Sequence, residues 1–143
     1  MFEYKPDYAE AKKRVDAWWN CEVLDRAMTY ISFPKPAGQQ VPYPKKKHRT
    51  IREGWLDAEH AADNAAAYMA NMVWYADSMP LCHPNLGPEW FSACYDCDLE
   101  FSSPTSWSVP NLKDWSPASV ARIQFNPNNF YWKKMWEMTD AFL

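Results

Sequence analysis

Glycine occurs only three times in this chain of 143 residues, at Gly38, Gly54 and Gly87. Ordinary globular usage is about 7%. Glycine is the residue that adopts positive φ without a steric penalty, and the tight turns of an all-β sandwich or barrel call for it repeatedly. So glycine-poor a chain cannot easily supply those turns. Helices must carry much of the fold, and the class expected is α+β. Twelve Pro and nine Trp are equally unusual, and aromatic residues reach 17%. With 48% apolar residues the chain can build a core. At this length it can bury about 70% of the surface it exposes when unfolded, which argues against disorder. A single domain over residues 1–143 is expected.

The formal net charge is −3 and the pI about 5.6, which is not the basic surface of a nucleic-acid binder. The one basic run, Lys45-Lys46-Lys47-His48-Arg49, sits in a Pro-rich connection. It reads first as a solvated loop and second as an anion contact. The N-terminal segment "MFEYKPD" carries acids and no apolar run, so it is not a signal peptide. Nowhere does an apolar run approach the roughly 20 residues of a membrane span. Four cysteines without an export signal point to reduced thiols and a cytoplasmic location.

Asp7 is placed to cap a first helix running to about Asn20, with Tyr8, Ala11, Val15 and Trp18 or Trp19 on one face. "AMTYISF" (27–33) reads as a strand buried on both faces, and the prolines from Pro34 to Pro44 end it. Thr50 and Glu53 have the form of a capping box. An Ala-rich helix should follow it to about Asp77, with Trp55, Ala62, Ala66, Met69 and Val73 on one face. Gly87-Pro88 predicts a turn and a short helix over Glu89–Tyr95. Leu99-Glu100-Phe101 and Ser106–Val109 read as short extended pieces, and "ARIQF" (121–125) as another strand. Asn126-Pro127 predicts the cap of a last helix with Phe130, Met135, Met138 and Phe142 on its buried side. The chain closes on "TDAFL" with no helix-stop signal. The expectation is therefore that residues 1–143 are the incomplete N-terminal part of a longer domain. The last helix should then present an exposed apolar face through which the chain self-associates.

The stretch "PLCHPNLGPEWFSACYDCDLEF" (80–101) holds three of the four cysteines. Cys94 and Cys97 form a C-x-x-C, and with Cys82 and His83 they offer four candidate zinc ligands. Cys82 and His83 are adjacent, however, and adjacent side chains rarely point at one ion. A redox C-x-x-C belongs at a helix N-terminus, which lowers a thiol pKa, whereas this one falls at a predicted helix C-terminus. Small buried core thiols are the leading reading, and no metal is expected. In the same stretch His83 and Asn85 stand at the mouth of a turn that opens a helix. That suits a ligand-facing loop, while the plainer alternative has Asn85 only capping the turn. The tryptophans also read two ways. Trp18, Trp74, Trp132 and Trp136 sit at helical spacing and can fill a core. Alternatively the aromatic residues form stacking faces of a stand-alone small-ligand or carbohydrate binding module.

The order "LDRAMTYISFPKP", "MPLCHPNLGPEWFSACYDCDLEF", "TSWSVPNLKDW", "NPNNFYWKKMWEM" resembles the N-terminal part of the uroporphyrinogen decarboxylase superfamily, in the branch related to cobalamin-dependent methyltransferases. The Pro-Asn-Leu-Gly-Pro turn, the Leu-Glu-Phe strand and the Thr-Ser-Trp segment are its most specific parts. The resemblance implies the N-terminal portion of a TIM-like (β/α)8 barrel. "AMTYISF" would be its first strand, and "MPLCHPNLGP" would carry the second strand and its loop. Ligand contacts lie at the C-terminal ends of barrel strands, so the ligand-facing candidates are Lys35, His83 and Asn85, with Trp107 in the Thr-Ser-Trp segment. The implied chemistry of the parent is methyl transfer with a corrinoid (cobalamin) protein as partner, or decarboxylation of a tetrapyrrole-like small-molecule acid. This chain departs from the decarboxylases in offering Lys35 and no arginine after the first strand, and Asn85 where they carry aspartate. The family's zinc ligands fall late in the barrel, so Cys94 and Cys97 do not inherit them. No cofactor is expected in this chain, nor activity from it alone.

Overall fold

The computed structural model describes Glu3–Leu143; Met1 and Phe2 of the acidic N-terminal segment lie outside the described residues. Helix α1 spans Tyr8–Trp19 and buries Ala11 and Ala17. Asp7 stands at its cap but makes no capping bond, because its carboxylate pairs with Lys5 Nζ at 3.0 Å. Trp18 and Trp19 do not enter a core: they are 50% and 73% exposed. The remaining order is β1 (Tyr30–Pro34), a short 3-10 turn, α2 (Ile51–Trp55), α3 (Ala58–Asn71), β2 (Met72–Ala76), α4 (Trp90–Ala93), β3 (Asp98–Phe101), β4 (Ser106–Val109), α5 (Pro117–Val120) and α6 (Phe130–Phe142). Helices mixed with two separate two-stranded antiparallel sheets make an α+β fold.

Chain packing divides into two compact units. The first takes the residues up to Pro44 together with Asn64–Cys82. Its sheet pairs β1 with β2 antiparallel, Tyr30 opposite Ala76 and Pro34 opposite Met72. This corrects two expectations. The Ala-rich helix does not run to Asp77, because it stops at Asn71 and passes straight into a strand. Val73, Trp74 and Tyr75 prefer a pleated, half-buried surface, and the β1 backbone supplies the ladder. Asn71 marks the change. Its buried side chain accepts from Val41 N at 2.7 Å and donates to Val41 O at 2.9 Å. Nor is the first strand buried on both faces: Tyr30, Ile31 and Phe33 are exposed, as is Tyr75 on β2.

Half of the buried residues of this unit are polar. Lys5 is 1% exposed, and its ammonium donates to Trp74 O at 3.2 Å and Ala76 O at 2.5 Å. Asp77 is fully buried. It accepts from Arg26 at 2.6 and 2.9 Å, from Thr29 N at 2.9 Å and from Arg14 at 3.4 Å. Ser78 Oγ donates within reach of Ile31 O and Tyr75 O, each at 2.7 Å. Ala76, between strand and aspartate, has φ +54°, a left-handed conformation that costs an L-residue about 1–2 kcal/mol.

The second unit takes Lys45–Asp63 and His83–Leu143. Thr50 caps α2 as its sequence requires, accepting from Glu53 N at 3.1 Å, while the Glu53 carboxylate reaches back to Arg49 N at 2.9 Å. The helix breaks at Leu56, and Asp57 opens α3 by accepting from His60 N at 3.1 Å. The core is apolar: Ala58, Leu86, Ala93, Leu99, Tyr131 and Met138, with Leu56, Ala61, Trp90, Phe101 and Met135 packed against it. β3 and β4 fall on the two expected extended pieces and pair antiparallel, Asp98 opposite Val109 and Phe101 opposite Ser106.

Residues 121–125 are not a strand. They follow α5 as turn and coil, with no ladder partner. The last helix starts three residues later than Asn126-Pro127 predicts, because Asn129 is its cap, accepting from Tyr131 N at 2.8 Å. Asn126 instead accepts from Asn128 N at 2.9 Å in the preceding turn. The buried side of α6 carries Tyr131 and Met138, whereas Phe130 and Trp136 are exposed. The apolar face expected to be open at Met135 and Met138 is therefore closed. Of the four tryptophans read as core, only Trp74 is buried; Trp132 is half-buried and edge-on to Trp136 at 5.9 Å.

Candidate functional site

Within the second unit, the part of the 80–101 stretch from Asn85 to Glu89 converges with β4. Asn85 Oδ1 accepts from Gly87 N at 2.8 Å, so Asn85 closes the turn. Gly87 has φ +96°, and a Cβ there would overlap the Ser106 hydroxyl and lie 2.8 Å from Ser106 Cβ. Only glycine meets both demands. Ser106 Oγ donates to Leu86 O at 2.5 Å, and Leu86 and Leu99 are both buried in the one core cluster. Glu89 then accepts from Ser108 N at 2.7 Å and Ser108 Oγ at 2.6 Å. Those two bonds hold the Glu89 carboxyl below the usual range.

His83 and Asn85 are exposed on this turn. Asn85 also lines a cleft of about 350 Å³ with Ile51, Trp55, Ser103 and Met138. Trp107 is half-exposed on β4, its indole donating to Glu100 Oε2 at 3.1 Å. Lys35 belongs to the first unit, just past β1, and its backbone N–H donates to Asn71 O at 2.8 Å. The structure therefore gathers three of the four candidates in the second unit and groups Lys35 with the first.

The cysteines are unpaired. Only Cys94 is buried; Cys82 and Cys97 are half-buried and Cys21 is exposed, so the expectation of buried thiols in this stretch holds for Cys94 alone. Burial pushes the Cys94 and Cys82 thiols up, away from the thiolate that nucleophiles and metal ligands require. Among the described residues no group of three or more His, Cys, Asp or Glu is placed to hold a metal ion. Nor does a helix among them reach the length and apolarity needed to cross a membrane.

Two polar knots complete the second unit. Tyr131 OH accepts from Leu99 N at 3.1 Å and Arg52 Nη2 at 2.6 Å and donates to Asp98. The Arg52 guanidinium lies 5.4 Å from the Tyr131 ring and 5.5 Å from Phe101. Burial, with the Asp98 bond, raises the Tyr131 hydroxyl pKa, while the Tyr131 bond lowers that of Asp98. In the second knot Asp57 accepts from Lys46 and from His48 Nε2, the latter at 2.9 Å if that nitrogen carries the proton. Both contacts lower its carboxyl, the Lys46 bond most. The basic run is thus partly tied down at Lys46 and His48.

Sequence reasoning missed another cleft. Phe91, Tyr95, Leu112 and Trp115 line a cleft of about 500 Å³. Phe91 is 62% and Trp115 85% exposed. From Phe91 an edge-on series of rings continues through Tyr95, Phe125 and Trp132 to Trp136 at spacings of 5.3, 6.2, 5.0 and 5.9 Å. The available signal was Trp115 itself, a large ring in the polar segment "LKDWSPAS" with no helical spacing to bury it. No protein-family model, curated protein or solved structure matches the chain.

Proposed function

We propose that the chain is the N-terminal portion of a uroporphyrinogen decarboxylase-superfamily barrel protein, in the branch related to corrinoid-dependent methyltransferases. On this reading it supplies part of the scaffold and ligand-facing wall, and none of the chemistry. One observation carries the reading. The three segments most specific to the family likeness, Pro-Asn-Leu-Gly-Pro, Leu-Glu-Phe and Thr-Ser-Trp, meet at Gly87, Leu99 and Ser106. They are spread over more than twenty residues, yet each contributes a buried group to one knot, and the glycine is sterically required. The antiparallel β1–β2 pair counts against the barrel part of the proposal, since barrel strands run parallel. Four unpaired cysteines support placing the protein in the reducing cytoplasm. The test is to extend the reading frame downstream of Leu143 and assay the longer product with cob(I)alamin and methylated donors, or with a porphyrinogen. The longer product should turn over and residues 1–143 alone should not. Turnover by this chain alone, or a frame that closes at once with the short chain folded, overturns the proposal.

A second reading is favoured by a separate observation: two exposed rings, Phe91 and Trp115, line one concavity with the half-buried Tyr95. A stand-alone aromatic binding module has that feature. Saturable quenching of tryptophan fluorescence by a small flat ligand or a sugar supports it, and none by either class excludes it.

A further inference from the structure

The aromatic cleft is one half of a longer groove. A second hollow of about 400 Å³ adjoins it, and both are lined by Tyr95, Asn111, Leu112 and Ile123. The first half adds Phe91 and Trp115. The second adds two cations, Lys113 and Arg122, and two acids, Asp96 and Asp114. Arg122 is held by neutral acceptors only, Nε donating to Ala118 O at 3.1 Å and Nη2 to Ser119 Oγ at 3.4 Å. The acids beside it are engaged elsewhere: Asp96 accepts from Asn126 and Asn129, and Asp114 from Ser116 N. The guanidinium is thus oriented yet has no carboxylate partner among the described residues, and a bound oxyanion would supply one in the charge-assisted geometry that Arg favours.

Two polar groups of the apolar half are already used. Ser108 Oγ donates to Glu89, and Asn111 Nδ2 donates to Tyr95 O at 3.0 Å. The lining of this half is mainly apolar, which suits a flat ring that needs only the faces and edges of Phe91, Tyr95 and Trp115 better than it suits the many hydroxyls of a sugar. We infer that this groove binds a planar aromatic ring system bearing a carboxylate, the ring against Trp115 and the carboxylate at Arg122. The inference rests on the binding-module reading of the same cleft, and it names the ligand class.

The probe is 2-naphthoate, titrated against the intact chain with tryptophan fluorescence and the indole N–H signals as readouts; 2-naphthylmethanol serves as the uncharged partner. Circular dichroism confirms that each variant is folded. Naphthoate is expected to saturate and to shift the Trp115 indole resonance. Trp115→Ala should weaken both compounds about tenfold, the scale of one lost ring contact. Arg122→Gln should weaken naphthoate about tenfold and the alcohol less than twofold. Equal affinities for acid and alcohol, unmoved by Arg122→Gln, overturn the assigned ligand class while leaving an aromatic site. Absence of saturable binding by either compound to the folded chain overturns both the class and the binding reading.

Discussion

The two units solve the same problem with different chemistry. The second is held by an apolar cluster in which Leu86, Leu99 and Met138 are each at most 1% exposed. The first buries small alanines and Trp74, and its largest fully buried side chains are Lys5, Asp77 and Ser78. Apolar burial is non-directional and tolerates small shifts. A buried ion held by several hydrogen bonds is satisfied in one arrangement and costly in others. The second unit should therefore fail by loss of packing and the first by loss of a single charge.

The largest expected effect strikes the packed unit. Gly87→Ala adds a Cβ that overlaps Ser106 Oγ at a backbone angle that L-residues avoid. The backbone term costs about 1–2 kcal/mol and the overpacking about 1–3 kcal/mol. Hydrogen exchange should show β3 and β4 losing protection while β1 and β2 keep theirs. Adding Ser106→Gly should restore part of the loss, because it removes the side-chain overlap, while the backbone term remains and the Ser106–Leu86 bond is lost. Equal stability of Gly87→Ala and the parent chain would contradict the close approach described here.

Next is the charge in the first unit. Asp77→Ala removes the shared acceptor of Arg26, Arg14 and Thr29 N. A severed, fully buried pair costs about 3–5 kcal/mol, but Arg26 is near enough to solvent to rehydrate, so about 2 kcal/mol is expected. The loss should appear as reduced amide protection across Tyr30–Phe33, with Asp98–Phe101 unchanged. Equal losses in both sheets would end the contrast between the units.

The same carboxylate gives a pH signature. Burial pushes Asp77 up, but the Arg26 bonds, the Thr29 N–H and the Arg26 and Arg14 charges outweigh burial, and the pKa falls below its ordinary value. Asp25, paired with Arg14 at 2.8 Å, is lowered to about 2, chiefly by that bond. A lowered folded pKa means stabilisation that is complete above the unfolded value of about 3.9 and is lost as pH falls through the folded one. Urea midpoints measured from pH 5 down to pH 2 should drop in the parent chain and drop less steeply in Asp77→Asn. Parallel profiles would remove Asp77 from the account.

What the sequence made legible was local. The Thr50 cap, the extended pieces at Leu99 and Ser106, and the α6 periodicity each depend on residues within a few positions. β2 was hidden because Met72–Ala76 continues a helical apolar pattern. Its strand character depends on β1, whose residues lie about forty positions earlier in the register. "ARIQF" failed in the opposite sense, having strand-like composition but no neighbouring strand. The turn at Asn85 could be read, whereas the cleft at Trp115 could not, because Phe91 and Tyr95 meet Leu112 and Trp115 only through the fold.

A smaller gain should come from relieving the first unit's strain. Ala76→Gly at φ +54° removes a left-handed penalty, and the greater freedom of glycine in the unfolded chain offsets part of it. A net gain of about 0.5–1 kcal/mol in unfolding free energy is expected. Destabilisation would mean that the methyl group packs better than the backbone strain costs.

The smallest effect on stability should accompany a change in association. Self-association through the last helix remains an expectation, but the surface available for it differs from the one its sequence indicates. Met138 is 1% exposed and Met135 packs against the core, so a lysine at Met138 would unfold the unit and report nothing about an interface. Phe130 and Trp136 are 52% and 56% exposed, and Trp136 ends the edge-on series of rings that begins at Phe91. Contiguous apolar patches beyond a few hundred Å² mark association surfaces. Replacing Phe130 and Trp136 with Lys should shift stability by no more than about 0.5 kcal/mol, the usual range for surface changes, and should raise the monomer fraction in sedimentation at high concentration. The double variant and the parent chain both sedimenting as monomers would show that this face associates with no second copy, leaving the two units to differ in their interiors alone.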